Sequence, residues 1–127
     1  MVELETRIAV GDWQGVARAY ASPDAVRQAA KLLQRWSRQP EGQVEFEAGA
    51  DTGIGWLRLR FYPADHAGHL VCHVQLATGG PTGGRPSEAR LSLAMRTEPG
   101  LVERFARRLK AIVAIVGEEA ALLGVLA

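Results

Sequence analysis

Three histidines, one cysteine and a run of glycines are the residues of this chain whose types could do chemistry. His66, His69 and His73 fall in one short stretch with Asp65 beside them. Imidazoles and a carboxylate are the ligand types of a zinc-like centre. His69 and His73 are four residues apart on an extended segment, which separates their backbones by roughly 13 Å. One ion held at about 2 Å by each ligand cannot bridge that distance. Asp65, His66 and His69 surround a turn and could converge, although solvated turn residues are the commoner outcome. The expectation is therefore no metal and no cofactor. A catalytic histidine would also need an orienting partner and a nucleophile, and the sequence names neither, so a non-enzyme is expected. Cys72 sits between Leu70 and Val74 on the apolar side of its segment, which predicts a buried, inert thiol. The stretch Thr78-Gly79-Gly80-Pro81-Thr82-Gly83-Gly84 lacks the Lys-Ser/Thr ending of a phosphate-binding loop. It also leads into a strand, so no helix N-terminus faces an anion. It reads as a mobile hairpin loop over residues 78–87.

The elements that would position these residues follow from hydrophobic period. Val2, Leu4, Ile8 and Val10 alternate with Glu3, Glu5 and Arg7, a half-buried strand. A turn at Gly11-Asp12 leads to a second strand near Trp13 to Ala21, whose alternation is poor. Ser22-Pro23-Asp24 opens a helix: a side-chain acceptor, a proline suited to the first helical position, and an acid for the dipole. Val26, Ala29, Ala30, Leu33 and Trp36 form its apolar stripe.

From Val44 onward the period changes from 3.6 to 2. Four segments alternate in turn, around Val44-Phe46-Ala48, Leu57-Leu59-Phe61, Leu70-Cys72-Val74-Leu76 and Ala89-Leu91-Leu93-Met95. The first two are joined by a turn at Asp51-Thr52-Gly53. Such a run predicts an antiparallel meander with one buried face. A second helix begins near Glu98-Pro99, with Leu101, Val102, Phe105, Leu109, Ile112, Val113 and Val116 in its stripe. Gly117 either ends it or lies inside a helix running to about Leu123. The apolar tail, residues 117–127, either packs back on the domain or makes an oligomer contact. The expectation is one α+β domain spanning 1–127, of ββαββββα order, with an antiparallel sheet of about six strands and two helices on one face.

Alternation places Glu45, Glu47, Trp56, Arg58, Arg60, Tyr62, His69, His73, Arg90 and Arg96 on the opposite, polar face. Arg, Trp and Tyr are the types enriched at protein-binding hot spots. Trp56, Arg58, Arg60, Tyr62, His69, His73, Arg90 and Arg96 are the candidate partner-binding residues. A formal net charge of +1 gives no overall pull toward nucleic acid. No stretch is suited to cross a bilayer, and no signal-peptide pattern opens the chain. A lone cysteine excludes an intrachain disulfide and is compatible with a reducing compartment. A cytoplasmic protein with neither nucleic-acid nor membrane partners is expected.

Several motifs recur in a familiar order. They are Val10-Gly11-Asp12-Trp13-Gln14-Gly15, the Ser22-Pro23-Asp24 helix start, and Trp56-Leu57-Arg58-Leu59-Arg60-Phe61. Gly68 to Leu76 and Leu91-Ser92-Leu93-Ala94-Met95-Arg96-Thr97-Glu98 complete the series. In order and spacing, over roughly residues 4 to 113, the chain resembles the WapI-type bacterial immunity proteins and their small bacterial relatives. The chain departs from the pattern where Thr97-Glu98-Pro99-Gly100 replaces an Asp-Gln-Thr-like step. The resemblance implies a protein that binds and neutralises a cognate toxin domain and carries no catalytic residues. The alternative is a homodimeric small-molecule binding or sensing domain that pairs through its C-terminal helix.

Overall fold

A computed structural model of the chain describes residues 1–49, 55–82, 85–115 and 117–127, without the side chains of 79–88. The elements run β1 (Val2–Val10), β2 (Trp13–Ala21), α1 (Pro23–Arg38), β3 (Val44–Gly49), β4 (Gly55–Pro63) and β5 (Leu70–Thr82). Then come β6 (Arg85–Thr97), α2 (Pro99–Ile112) and β7 (Val125–Leu126). The class is α+β, as expected, with seven described strands in two antiparallel sheets. β1 and β2 form a two-stranded sheet, and β3 to β7 form a five-stranded sheet in chain order.

Local chemistry sets the helix ends. Ser22 Oγ accepts from the Ala25 amide at 3.1 Å, with Pro23 in the first turn and Asp24 beside it. One amide that the helix cannot satisfy internally is thereby paired. α1 buries Val26, Ala30, Leu33 and Trp36, and α2 buries Val102, Phe105, Ala106 and Leu109. Both helices share a core with the sheet face that carries Phe46, Leu57, Leu59, Phe61, Cys72 and Val74. Trp36 meets Phe61 with ring centroids 6.2 Å apart, tilted at 59°, the offset geometry aromatic pairs prefer. Side chains of this size, fully buried, stabilise by roughly 1.5–3 kcal/mol each.

The hairpin β1–β2 does not extend the main sheet. It contributes Leu4, Ile8, Val10, Ala17, Ala19 and Ala21 to the same core, so it shares the apolar face with the helices. The inward positions of β2 are small, whereas Val16 and Tyr20 face out at 50% and 52% exposure. That is why the alternation of β2 was poor: the crossing needs small residues inside, so the large ones lie outside. The closest approach is at Gly55, where a β-carbon would overlap the carbonyl of Arg18.

The last helix is shorter than either expectation for it, and the tail packs back on the domain, one of its two expected courses. α2 ends at Ile112 instead of reaching Leu123, and the chain turns back onto the sheet. Thr97 Oγ1 donates to the Leu123 carbonyl at 2.8 Å, and Arg108 Nη2 holds Glu118 at 2.9 Å. β7 then adds to the edge of β6, pairing Met95 with Leu126 and Arg96 with Val125. Val116 lies outside the described residues, as does the turn at Asp51-Thr52-Gly53. In the glycine stretch the β5–β6 ladder continues to the pair Thr82 and Arg85, well past where alternation ends. Gly83 and Gly84 lie outside the described residues.

Candidate partner-binding face

Register arranges the outer side of the main sheet into rows, because residues two apart on a strand share a face. One row holds Tyr62, Val71, Arg96 and Val125, and the next Glu45, Arg60, His73 and Ala94. A third holds Glu47, Arg58, Gln75 and Ser92, and a fourth Gly49, Trp56, Ala77 and Arg90. Neither helix nor the hairpin supplies these residues, and none of them belongs to the main core.

The side chains pair diagonally across the rows. Arg58 grips Glu45 through Nε at 2.9 Å and Nη2 at 3.0 Å, a two-pronged geometry that fits a carboxylate. This bond holds the Glu45 carboxyl below its ordinary range and raises Arg58. Trp56 Nε1 donates to Glu47 Oε2 at 2.9 Å. Arg60, directly across from Glu45, is left out of that pairing. Its Nη2 lies 3.4 Å from His73 Nδ1, and its Nε is buried without a hydrogen-bond partner. His73 Nε2 lies 2.9 Å from Ser92 Oγ.

The Arg60–His73–Ser92 chain has a direction. A guanidinium only donates, so His73 Nδ1 must accept and the proton of the neutral ring sits on Nε2, aimed at Ser92. Partial burial and the charges of Arg60 and Arg58 hold His73 below the ordinary imidazole range, which favours the neutral ring. In a serine–histidine–carboxylate triad the third group accepts from the ring, leaving the far nitrogen free to take the serine proton. Here an arginine occupies that place and the polarity is reversed.

The sequence-predicted residues divide accordingly. Arg58, Arg60, Tyr62, His73 and Arg96 do share one face, with Arg90 at its far end. Trp56 is on that face but only 7% exposed, so it supports the surface from beneath. Val71, on the same face, is likewise buried at 8%. His69 belongs elsewhere: its Nδ1 lies 2.8 Å from Asp65 Oδ2, within the β4–β5 loop. The Ala67 amide donates to Asp65 Oδ1 at 2.8 Å. With His69, it pulls the Asp65 carboxyl below its ordinary range. His66 and His69 line an open groove with Pro40 and Pro63. Among the described residues no three His, Cys, Asp or Glu side chains are grouped to hold a metal ion. Cys72 is fully buried and its thiol is pushed up to about 12 by burial. Ser92 was missed, since only the strand register brings it to His73.

No protein family, curated protein or solved structure matches the chain.

Proposed function

We propose that this chain is a non-enzymatic, immunity-like protein that binds and neutralises a cognate toxin domain with the outer face of its main sheet. The observation that carries this reading is the set of cross-strand bonds on that face. Arg58–Glu45, Trp56–Glu47 and Arg60–His73–Ser92 hold long side chains in place before any partner arrives. Less side-chain freedom then remains to be lost on binding. Arg60, Tyr62 and Arg96 are the residue types that anchor interfaces. The reversed polarity at His73 and the inert Cys72 argue against nucleophilic catalysis, because neither offers an activated attacking group.

The test is co-expression with the product of the neighbouring gene. The reading expects a stable complex and rescue of cells from that product's toxicity; no complex and no rescue would overturn it. The homodimeric sensing alternative has less support. The helix it would pair through stops at Ile112. The recess between the two helices and β3–β4 has an interior volume of only about 10 Å³, room for about one water, and the larger space beside His66 and His69, about 560 Å³, is a groove open to solvent.

A further inference from the structure

The near-zero net charge hides a partition. α1 and α2 carry eight of the fifteen Lys and Arg residues and only two acids, Asp24 and Glu103, a formal +6. The seven cations and twelve acids elsewhere in the chain leave −5. At 100° per residue, Arg27, Lys31, Arg35 and Arg38 fall within about a 100° arc of α1, and Gln34 lies among them. Arg104, Arg107 and Lys110 share a comparable arc of α2 with Glu103.

Two contacts show that these arcs face each other across an antiparallel seam. Lys110 Nζ donates to Gln34 Oε1 at 2.7 Å, and Arg38 reaches Glu103 at 3.9 Å. Glu103 is also 3.5 Å from Arg107, so a single carboxylate serves two guanidiniums in the seam. Lys31, Arg35 and Arg104 make no ion pair among the described residues. Along α1, the basic positions 27, 31 and 35 recur about every 6 Å.

We propose that this seam binds the phosphate backbone of a nucleic-acid duplex without reading its sequence. A line of regularly spaced cations suits a line of phosphates, and counterion release alone supplies affinity there. The basic arcs hold no aromatic side chain, so single-strand stacking has no platform and a protein partner has no aromatic anchor. The apolar stripes of both helices are spent in the core, which leaves no face to sink into a membrane. This inference is independent of the toxin-binding reading, since it uses the opposite side of the molecule.

The test uses the full chain and a short fluorescein-labelled DNA duplex, read by anisotropy across a salt series. Binding is expected in the range of roughly 1–100 µM, weakening steeply with salt. The triple variant Lys31→Gln, Arg35→Gln, Arg104→Gln keeps the Lys110–Gln34 bond and the Glu103 ion pairs of the seam and places good helix formers at all three positions. It should flatten the log–log salt slope by about 2 to 3 units, close to one per charge removed. Arg58→Gln and Arg96→Gln on the sheet should leave the slope unchanged. Absence of binding at low salt, or equal loss from the sheet and seam variants, overturns the proposal. Poly-glutamate binding as tightly as the duplex overturns it in favour of an acidic protein, and tighter binding to anionic vesicles in favour of a membrane surface.

Discussion

Arg60 sets the tautomer of His73: its Nη2 stands 3.4 Å from the imidazole Nδ1 and can only donate to it. The ring must therefore be neutral to keep both this bond and the one to Ser92. His73 is held below its ordinary value of 6.5 by burial and by Arg60 and Arg58. Because the unfolded chain takes up a proton more readily than the native one, the contribution of His73 is present above pH 6.5 and lost as pH falls through its native value. The urea midpoint should fall between pH 7 and pH 5, and His73→Gln should flatten that fall. An unchanged profile in the variant would contradict the assignment.

A second acid window lies lower. Glu5, Glu45 and Asp65 are all held below their ordinary values by hydrogen bonds from Arg7 and Arg18, from Arg58, and from His69 and Ala67 respectively. Their contributions are present above their unfolded values and disappear as pH drops through the native ones. Titration of the Glu45 carboxyl by NMR should give a lower midpoint in the native chain than in Arg58→Met, and equal midpoints would remove the Arg58 bond from the account.

Gly55→Ala should be among the most damaging single substitutions. Its methyl would overlap the Arg18 carbonyl, backbone that cannot swing aside as a flexible side-chain tip would. A loss of about 3 kcal/mol or more, measured by chemical denaturation, is expected for such a clash. Ser22→Ala, which deletes only the α1 cap, should cost about 1 kcal/mol. A Gly55→Ala protein as stable as Ser22→Ala would show that β2 does not cross β4 as described.

Thr97 is 2% exposed and ties the tail to the sheet through the Leu123 carbonyl. Thr97→Val keeps the shape and leaves that carbonyl without its partner, at a cost of about 1–2 kcal/mol. Amide exchange should rise chiefly at Val125 and Ala127, the latter bonded to the Ala94 carbonyl. Unchanged exchange there would mean that the tail is held by other contacts.

The four alternating segments were legible because the period of 2 is local, and their faces came out as expected, including the burial of Cys72. The Ser22 cap was legible for the same reason. What was hidden depends on chain crossings. Small inward residues at Ala17 and Ala19 erase the alternation that identifies a strand, and their size makes sense only beside Gly55. The return of the tail rests on contacts distant in sequence, Thr97 with Leu123, Arg108 with Glu118 and the β6–β7 pairs, which no local pattern announces. On the candidate face, alternation placed Arg58, Arg60 and His73 together. It could not reveal that Trp56 is buried against Glu47, or that Ser92 sits against His73, because strand register is a tertiary property. The total charge concealed the basic seam, since a sum carries no positions.

The central claim, that the outer face of the sheet binds the partner, is tested most directly by a pull-down with the co-expressed neighbouring gene product. The variants are Tyr62→Ala with Arg96→Glu on the outer face and, as a control, Arg7→Glu with Arg18→Glu on the exposed side of the hairpin. The account predicts that the outer-face variant loses at least about tenfold in affinity, in keeping with the weight carried by anchor residues, while the hairpin variant still binds. Retained binding by the outer-face variant and loss by the hairpin variant would contradict it.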